Sequence, residues 1–499
     1  MSALPHVRDD TGTPSSLASP VSSTTAGQRI IAVDLDGTLI RSDLLVESVF
    51  LLLRYHPLLF VRALFWVLKG KAYFKRRIAD AVSPIVQTLP YNQPLIAWLE
   101  VQKKAGARLV LATASETRLA REVAAHVGLF DEVLGTENEN LASTNKRKAL
   151  VARYGEQGFE YVGNSSADLN VWRSASVVHV VNPELGVLAR ARRMGRTGQV
   201  FDDRASYLRV LRKALRLHQW AKNLLVFVPL LATHQLMNLD LLLNGVLAFI
   251  CFGMCASSVY ILNDLLDLKD DRQHRTKRNR PLAAGTFPMV HAMVWMAALL
   301  VLAFGLALLL LPWRFALVLC AYYVLTLGYS LWIKRLVMLD VITLAMLYTV
   351  RVVAGAAAIV APLTFWILAF CMFMFLSLAF VKRYTELYDA KEQRKGDAVP
   401  GRGYQLQDFE LLASLGGSSG YLSVLVLALY INDTSALTLY GHPKLLWMAC
   451  PLLLFWLSRV WLIAHRGQMN DDPIVFALRD RVSQLIGLAF ASTFVLASL

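Results

Sequence analysis

Long apolar blocks separated by charged connectors fill the chain from about residue 220 to its end. Nine such blocks occur, at about residues 221–233, 239–262, 288–310, 314–332, 337–360, 362–381, 411–431, 445–464 and 482–499. Most approach the ~20 residues that an α-helix needs to cross a ~30 Å hydrocarbon core, and the first is the shortest. The pattern predicts a C-terminal all-α polytopic membrane bundle of about nine transmembrane helices over residues 213–499.

A different pattern precedes the blocks, in which short apolar runs of strand type alternate with helical stretches. Such runs start at about residues 29, 108 and 161, and each ends in polar or acidic side chains. Strands separated by helices are typical of a parallel sheet, whose ligands bind at the carboxyl ends of the strands. The pattern predicts an N-terminal α/β Rossmann-like domain over residues 29–200, joined to the bundle by a linker at 201–212.

Two further segments belong to this N-terminal region. Residues 1–28 are rich in Ser, Thr and Pro and have no apolar run, which predicts a disordered tail rather than a signal peptide. An insertion at about 43–107 is expected to form a helical cap on the sheet. Its apolar stretch 44–68 is interrupted by charged residues, so it either lies on the membrane surface or forms an ordinary buried pair of helices.

The charge pattern predicts the orientation of the bundle. If the N-terminal domain is cytoplasmic, the loops after blocks two, four, six and eight are cytoplasmic too. These loops carry the basic runs 269–280, 334–335, 382–402 and 466–481, as the positive-inside rule requires. We therefore expect a multi-pass protein of the inner (plasma) membrane. Its net charge of +15 then reflects contact with the lipid bilayer and does not require a nucleic acid.

Three carboxylates follow the second block. Asp264, Asp267 and Asp271 stand at i, i+3 and i+7, which places them on one face if the helix continues. Mg²⁺ binds oxygen ligands and usually holds phosphates together with carboxylates. Lys277 and Arg280 follow in a strongly basic run that can neutralise further phosphate charge. The pattern predicts a site for Mg²⁺ and a phosphorylated substrate; the alternative is a solvated loop of ion pairs.

Residues 263–285, here called the aspartate-rich loop, carry the patterns NDxxDxxxD and RPLxxG. The loop resembles the first aspartate-rich motif of the UbiA-type prenyltransferase superfamily, and the resemblance extends over about residues 212–499. It implies that Mg²⁺ on the three aspartates binds the diphosphate of an activated substrate. Asn263, Lys277 and Arg280 are then candidate substrate-binding residues.

Four further basic residues are candidates for substrate binding: Lys222, Arg351, Lys382 and Arg383. Lys222 opens the first block, where it either binds an anionic head group or extends to the interface. Arg351 lies about fourteen residues from the cytoplasmic end of its block, ~20 Å deep, so we expect it to face the bundle interior. Its expected partner is a carboxylate or a substrate phosphate. Lys382 and Arg383 stand where most of the superfamily carries a second aspartate-rich motif, which makes this site unusually cationic.

Several motifs together are similar to the decaprenyl-phosphate phosphoribosyltransferase branch of the superfamily. They are the QWxKN start at Gln219, the small-residue run around Gly355 and the KRYxEL pattern at Lys382. That branch joins a polyprenyl phosphate to phosphoribosyl diphosphate. The resemblance therefore implies a polyprenyl phosphate lipid and phosphoribosyl diphosphate, or otherwise a polyprenyl diphosphate, as partners.

The strand ends of the N-terminal domain carry a second set of motifs. In chain order they are DxDGT with Asp34 and Asp36, then Thr113, Lys146 and a GxxxxD motif that ends at Asp168. This order resembles the haloacid dehalogenase-like phosphatase family. It implies that Asp34 is the nucleophile that accepts the phosphoryl group and that Asp36 is the general acid/base. Thr113 and Lys146 then hold the phosphate, since a carboxylate needs a nearby lysine and metal to attack an anionic phosphate.

The same resemblance implies a Mg²⁺ site on Asp34, Asp36, Asn164 and Asp168. The family usually has an acid where this chain has Asn164, so the site is weaker by one charge. Lys148 is a competing choice for the lysine. An inactive phosphatase fold kept as a scaffold is the alternative.

The two resemblances imply a fused enzyme. Its bundle would transfer 5-phosphoribosyl to a polyprenyl phosphate and release diphosphate, and its phosphatase domain would remove the 5-phosphate of the product. The alternative is an aromatic prenyltransferase that uses a polyprenyl diphosphate and a 4-hydroxybenzoate-like acceptor, with Tyr260, Tyr322 and Tyr323 available to line the site. In that case the phosphatase domain has a separate or lost activity. A non-catalytic lipid-binding or assembly protein is a third reading.

Overall fold

The computed structural model describes residues 28–137, 139–392, 403–433, 439–469 and 472–498. The predicted disordered tail lies outside these residues, except for residue 28. The described chain folds into a parallel sheet with its helices, followed by a helical bundle, as the sequence predicts.

The N-terminal unit contains a six-stranded parallel sheet with the strand order β3-β2-β1-β4-β5-β6. The strands are β1 (Ile30–Val33), β2 (Arg108–Glu116), β3 (Glu132–Thr136), β4 (Glu160–Gly163), β5 (Val178–Val181) and β6 (Thr197–Phe201). Ile31 and Val33 of β1 pack in one core and Ala32 packs in another, because successive strand side chains point to opposite faces. The strand order reverses beside β1, so its carboxyl end opens a crevice between β2 and β4.

Eight helices accompany the sheet. They are α1 (Leu44–Tyr55), α2 (Pro57–Trp66), α3 (Lys71–Ala81), α4 (Gln93–Lys104), α5 (Thr117–Val127), α6 (Thr144–Tyr154), α7 (Leu169–Trp172) and α8 (Val187–Arg193). The cap consists of α1 to α3. Helix α1 is buried against the bundle through Phe50, whereas α2 leaves Leu58 and Phe65 84 % and 66 % exposed. One cap helix is thus buried and the next presents apolar side chains on its surface, so the expected buried pair of helices is found only for α1.

Twelve helices form the rest of the chain within the described residues. They are α9 (Tyr207–Ala214), α10 (Val228–Ala232), α11 (Leu239–Leu266), α12 (Leu268–Gln273), α13 (Met289–Leu310), α14 (Trp313–Leu331), α15 (Leu339–Ala358), α16 (Phe365–Glu392), α17 (Phe409–Ile431), α18 (Ala449–His465), α19 (Pro473–Arg479) and α20 (Arg481–Ser498). Eight helical segments in this part are long and apolar enough to cross a membrane; two of them include a 3₁₀ turn ahead of α17 or α18. The chain is therefore a multi-pass membrane protein.

The first apolar block forms a short and unusual segment. A 3₁₀-helix spans Leu217–Phe227 and continues into α10. A 3₁₀-helix rises ~2.0 Å per residue and an α-helix ~1.5 Å, so the two pieces together extend ~30 Å. The segment runs antiparallel to α11, because Trp220 packs at Gly253 and Phe227 packs at Gly245. It thus lies beside the eight long helices and is about as long as a hydrocarbon core is thick, with fewer residues than an α-helix needs.

Close backbone contact holds this segment in the bundle. A Cβ atom at Gly355 of α15 would lie 1.9 Å from the carbonyl oxygen of Val226. Any larger residue would therefore push the 3₁₀-helix away from α15. Small residues at such helix contacts let the backbones approach inside a membrane.

The connectors predicted to share one face do meet there. Lys334 contacts Asp267, which joins the connectors that follow α14 and α11. Lys382, near the end of α16, contacts Asp472 in the connector that follows α18. The N-terminal unit docks on the same face, where a Cβ at Gly285 would lie 2.6 Å from Arg41. Its last strand, β6, ends at Phe201, and helix α9 then connects it to the bundle.

Candidate active sites

The phosphatase-like residues meet at the carboxyl edge of the sheet. Asp34 follows β1, Thr113 is fully buried in β2, and Lys146 lies in the first turn of α6. Lys146 Nζ donates to Asp34 Oδ1 at 2.6 Å and to the Tyr161 hydroxyl at 2.9 Å. Lys148 is exposed. The geometry therefore favours Lys146 over Lys148 as the lysine that contacts Asp34, the predicted nucleophile.

Burial dominates the acid–base behaviour of this edge. It raises the pKa of Asp34 to about 6, although the Lys146 charge opposes the shift. Burial and the neighbouring Asp43 raise the pKa of Asp36 to about 7. Asp36 also accepts hydrogen bonds from Leu44 N at 2.9 Å and Ser115 Oγ at 2.5 Å, which fix the orientation of its carboxyl group. A carboxyl whose pKa lies near neutrality is suited to both donating and accepting a proton.

Asp168 and Asn164 line the same crevice. Asp168 Oδ1 accepts from the Tyr161 hydroxyl at 2.9 Å, and its Oδ2 accepts from the Asn164 and Ser165 amides at 3.0 and 2.9 Å. The Asn164 side chain accepts from Thr38 Oγ1 at 3.2 Å. Asn164 therefore joins the two loops of the site through an amide where the family usually has an acid.

Lys75 of the cap reaches this site, and the sequence motifs gave no indication of it. Its Nζ donates to Ala114 O at 2.5 Å and to Asn140 Oδ1 at 2.7 Å. Burial lowers the pKa of Lys75, while the charges of Asp36 and Asp43 oppose that shift. In the sequence Lys75 is the first of three consecutive basic residues on the cap, and the sequence does not indicate which of the three side chains faces the site.

The aspartate-rich loop forms a second site at the bundle face that carries the N-terminal unit. Helix α11 ends at Leu266 and α12 begins at Leu268, so Asp267 interrupts the helical path between Asp264 and Asp271. Backbone bonds from Asp267 N to Asn263 O and from Asp271 N to Asp267 O nevertheless preserve the helical path. The condition for a shared face, that the helix continues, is thus met with an interruption of one residue.

Each carboxylate of the loop is matched by a base. Arg280 Nη1 lies 3.2 Å from Asp264 Oδ1 and 2.6 Å from Asp271 Oδ2, and Arg216 also pairs with Asp264. Lys334 Nζ lies 2.9 and 3.0 Å from the two oxygens of Asp267. Arg216 and Lys334 are site residues that the sequence motifs did not single out, because both belong to other segments.

Burial raises the pKa of Asp271 to about 6, while the charges of Arg280 and Lys277 oppose the shift. Lys277 itself is exposed on the short 3₁₀-helix Lys277–Asn279. Asn263 Oδ1 is buried in the same loop without a hydrogen-bond partner. A buried amide oxygen without a partner can bind a cation or accept a hydrogen bond from a ligand.

Over the residues that the structure describes, no group of three or more His, Cys, Asp or Glu side chains is arranged to hold a metal ion. In the aspartate-rich loop, Arg280 occupies the space that Asp264 and Asp271 share. The donors at both sites are oxygens, which is the chemistry that Mg²⁺ prefers. The residue types therefore fit Mg²⁺, provided that the bases turn from the carboxylates to the phosphates of a bound substrate.

Lys222 and Lys382 meet at Asp472, the residue directly before α19. Asp472 Oδ2 accepts from Lys222 Nζ at 2.8 Å and from Lys382 Nζ at 3.2 Å, and the Tyr348 hydroxyl donates to it at 3.0 Å. Burial would raise the pKa of Asp472, but the two lysines outweigh burial and hold it well below its usual range. Asp472 is therefore a permanent anion that brings two substrate-binding candidates together.

Arg351 faces the bundle interior, as its depth predicted, and its side chain is buried. Nε donates to Asn223 Oδ1 at 3.0 Å and Nη2 donates to the Tyr322 hydroxyl at 3.3 Å. The guanidinium also stacks on the rings of Phe252, Tyr322 and Tyr348, between 5.2 and 5.8 Å from their centroids. Within the described residues, no carboxylate lies at ion-pair distance from Arg351. Its partners are thus dipoles and aromatic faces, rather than the carboxylate that was one of the two expectations.

Arg383 lies in a different environment. Its Nε is 2.5 Å from Asp340 Oδ2, and the two side chains are 1 % and 0 % exposed. Arg383 also pairs with Glu386 and donates to the Tyr329 hydroxyl at 2.7 Å, while Tyr404 donates to Asp340 at 2.6 Å. This closed network joins α15, α16 and α14. It gives Arg383 a structural role, and the substrate contact suggested by the sequence stays a prediction.

Comparison with family descriptions identifies both units. Residues 224–482 match the UbiA prenyltransferase family, and residues 31–173 match haloacid dehalogenase-like hydrolases. A solved UbiA homolog from Archaeoglobus fulgidus, bound to GPP and Mg²⁺, aligns at 17 % identity with a TM-score of 0.44; the alignment covers 58 % of this chain and all of that one.

Two curated relatives differ in how much of this chain they match. The uncharacterized protein y4nM of Sinorhizobium fredii is 36 % identical over 468 residues, which cover 93 % of this chain and 90 % of the relative. Decaprenyl-phosphate phosphoribosyltransferase of Mycobacterium tuberculosis is 31 % identical over 290 residues, 56 % of this chain and 91 % of that enzyme. The first relative therefore matches across both units, and the second matches little more than the bundle.

Proposed function

This chain belongs to the UbiA prenyltransferase family, and on this basis we propose that its bundle transfers 5-phosphoribosyl from phosphoribosyl diphosphate to a polyprenyl phosphate. The haloacid dehalogenase-like unit then removes the 5-phosphate of the lipid product. Similarity to a decaprenyl-phosphate phosphoribosyltransferase supports the first step. Both reactions take place at the cytoplasmic face of the inner (plasma) membrane, which the basic connectors support.

The observation that carries the proposal is the excess of positive charge around one acid. Lys222 and Lys382 both pair with Asp472. Arg351 stacks on the ring of Tyr348, whose hydroxyl donates a hydrogen bond to the same aspartate. A prenyl diphosphate is one anionic substrate, and it is balanced by metal ions on two acidic motifs. A lipid phosphate that reacts with phosphoribosyl diphosphate brings a second anion to the site. Additional bases are suited to that second anion.

In the transfer step, an oxygen of the lipid phosphate attacks the anomeric carbon of the ribose. The bond from that carbon to the diphosphate oxygen breaks, and diphosphate leaves with the electron pair. Arg280, Lys334 and Arg216 lie where they can turn from the aspartates to the diphosphate and offset its developing charge. The acceptor is itself the nucleophile, so no side chain needs to form a covalent bond.

In the hydrolysis step, an oxygen of Asp34 attacks the 5-phosphate of the product. The ribose 5-oxygen leaves and takes a proton from Asp36. Lys146, whose Nζ lies 2.6 Å from Asp34 Oδ1, stabilises the negative charge of the phosphoryl group. Water then attacks the aspartyl phosphate and gives its proton to Asp36. Inorganic phosphate leaves, and Asp34 is regenerated.

Mg²⁺ is the cofactor that the residues of both sites suit. In the bundle Asp264, Asp267 and Asp271 would hold it, with the unpartnered Asn263 Oδ1 beside them. In the phosphatase-like unit Asp34, Asp36, Asn164 and Asp168 form the set implied by the motifs. When bound, the ion neutralises phosphate charge and polarises phosphoryl oxygens.

An aromatic prenyl transfer is the second candidate function. Tyr322 is buried beside Arg351, and the Arg216 guanidinium stacks on Tyr260 at 5.5 Å. Aromatic faces of this kind can stabilise an allylic cation. In that reaction the phosphatase-like unit has no 5-phosphate to remove.

One experiment separates the two functions. Purified protein is incubated with Mg²⁺, polyprenyl phosphate and phosphoribosyl diphosphate labelled in the ribose. A parallel sample receives a polyprenyl diphosphate and 4-hydroxybenzoate. Label in the extracted lipid of the first sample is the expected result. Prenylated acid in the second sample, with no label in the first, would favour aromatic prenyl transfer instead.

A further inference from the structure

Helix α1 of the cap contacts both candidate active sites. At its first residue, Leu44 N donates to Asp36 Oδ1 of the phosphatase-like site at 2.9 Å. In its last turn, Arg54 contacts the aspartate-rich loop of the bundle. At ~1.5 Å per residue, the two contacts are only ~15 Å apart along the helix. A single rigid element thus joins the acid/base of one site to the carboxylates of the other.

The Arg54 contact is specific and enclosed. Its Nη1 donates to Leu266 O at 2.9 Å and lies 3.1 Å from Asp267 Oδ1, and its Nη2 lies 2.6 Å from Asp270 Oδ2. The Arg54 side chain is 6 % exposed. Basic side chains at the C-terminus of a helix bind its last carbonyls and offset the helix dipole. Arg54 supplies that function to α11 from another domain, at the residue where the helix is interrupted.

A second ion pair anchors the same face of α1. Both Arg272 terminal nitrogens donate to Glu47, at 2.6 and 2.8 Å, and the side chains are 6 % and 4 % exposed. Arg272 Nε also donates to Ala283 O at 3.1 Å, so this pair also holds the far end of the loop. Glu47, Phe50 and Arg54 are three and four residues apart, which places them on one helical face. That face contacts the loop at Leu266, Asp267, Asp270 and Arg272.

We propose that Arg54 is a positioning residue of the transferase site, so that the phosphatase cap fixes the turn in which Asp267 is held. This inference rests on the proposed function of the bundle as a metal-dependent transferase. Lys334 approaches Asp267 from the bundle side and can turn toward a substrate phosphate. Arg54 is tied to a backbone carbonyl and to Asp270 and stays with the turn. Removing it frees Asp267 and Asp270 to move apart, and side chains that orient metal ligands typically contribute about 10–100-fold to metal affinity or activity.

The test compares Arg54→Met with Arg62→Met in the full chain. Arg62 is exposed on the next helix of the same cap, so it controls for loss of a cap arginine. Both variants are made in an Asp34→Asn background, which weakens ion binding at the phosphatase-like site. Binding of Mn²⁺, used in place of Mg²⁺, is followed by electron paramagnetic resonance. Asp267→Asn in the same background identifies the signal of the bundle site.

We expect Arg54→Met to bind Mn²⁺ about ten-fold more weakly than Arg62→Met. In the transfer assay its KM for phosphoribosyl diphosphate should rise more than its kcat falls. With Asp34 restored, its hydrolysis of p-nitrophenyl phosphate should equal that of Arg62→Met. Equal Mn²⁺ affinity in the two variants would overturn the inference.

Arg54→Lys keeps the charge but cannot reach all three partners, so it should show a weaker effect in the same direction. It replaces Arg54→Met if that variant does not fold, and parental Mn²⁺ affinity in Arg54→Lys would then overturn the inference. A parent chain that transfers no phosphoribosyl group would overturn the proposed function, and the Mn²⁺ comparison would still decide the role of Arg54.

Discussion

Arg280 places one nitrogen between Asp264 and Asp271, 3.2 Å from the first carboxylate and 2.6 Å from the second. These two aspartates are seven residues apart and belong to different helices. The arginine therefore compensates charge that a divalent cation would otherwise balance. If Mg²⁺ binds together with a diphosphate, Arg280 is free to turn toward the phosphate without leaving the site.

Asp267→Asn should lower the rate of transfer by about 100-fold while the protein stays folded. The Asp267 side chain is 24 % exposed, so it contributes little to packing, but its charge binds Lys334 and, in our proposal, Mg²⁺. Initial rates of lipid labelling measure the loss. Asp240→Asn makes the same change at the opposite, exposed end of α11 and should leave the rate unchanged. A fully active Asp267→Asn enzyme would contradict the metal assignment.

Arg351→Leu should reduce transfer strongly and stability little. Leucine suits an apolar bundle interior, and the partners of Arg351 are an amide, a hydroxyl, a carbonyl and three rings, none of which is left as an unpaired charge. Transfer rates and thermal unfolding in detergent would be measured side by side. A variant that keeps its activity but unfolds at a much lower temperature would show that Arg351 is structural.

Arg383→Leu should behave in the opposite way. It leaves Asp340, which is 0 % exposed, as a buried carboxylate without its ion partner. Breaking a buried pair in this manner costs about 3–5 kcal/mol. Thermal unfolding should show a large loss of stability. The double variant Asp340→Leu/Arg383→Leu should recover much of it, because the one carboxylate left from the network, Glu386, is 34 % exposed. A stable single variant that has lost transfer would instead support substrate contact by Arg383.

Glu160→Gln should destabilise the N-terminal unit in a pH-dependent way. Burial would raise the pKa of Glu160, but hydrogen bonds from His179 and Arg29 outweigh burial and lower it to about 2. A carboxyl with a lowered pKa stabilises the fold above its unfolded pKa of about 4.3 and loses that effect as the pH falls toward 2. Allowing for solvent screening, the free energy of unfolding should fall by about 1–2 kcal/mol at pH 7.

Hydrogen exchange of β4 and β5, which carry Glu160 and His179, measures this difference directly. The difference in the free energy of unfolding between Glu160→Gln and the parent should become smaller as the pH is lowered from about 4.3 to about 2. Glu156→Gln changes an acid whose side chain is 56 % exposed and should have no comparable effect. A gap that is independent of pH would contradict the assigned cause.

The sequence predicts most of what depends on local pattern. Asp34 follows β1, Thr113 lies near the end of β2 and Asp168 follows β4, and parallel strands bring such positions together at one edge. The two lysines Lys146 and Lys148 could not be separated in this way. They point to different sides of α6, and the contact with Asp34 depends on how that helix docks.

Contacts between distant segments could not be predicted. Arg54 and Leu266 are 212 positions apart, and Lys222 and Asp472 are 250 apart. No periodicity relates such pairs, because each depends on how complete helices pack. The first apolar block was also ambiguous. Its small number of residues suggested a segment too short for the membrane, and hydropathy cannot reveal that a 3₁₀-helix is longer per residue than an α-helix.

The mass of the lipid product tests the central claim most directly. Parent protein and Asp34→Asn are each incubated with Mg²⁺, polyprenyl phosphate and phosphoribosyl diphosphate, and the extracted lipids are compared by mass spectrometry. Because Asp34 lies in the phosphatase-like unit and not in the bundle, both should transfer ribosyl groups at the same rate. The parent should yield lipid-linked ribose and free phosphate, whereas Asp34→Asn should yield lipid that keeps the 5-phosphate. Lipid products of identical mass from the two proteins would contradict the proposed sequence of transfer and hydrolysis.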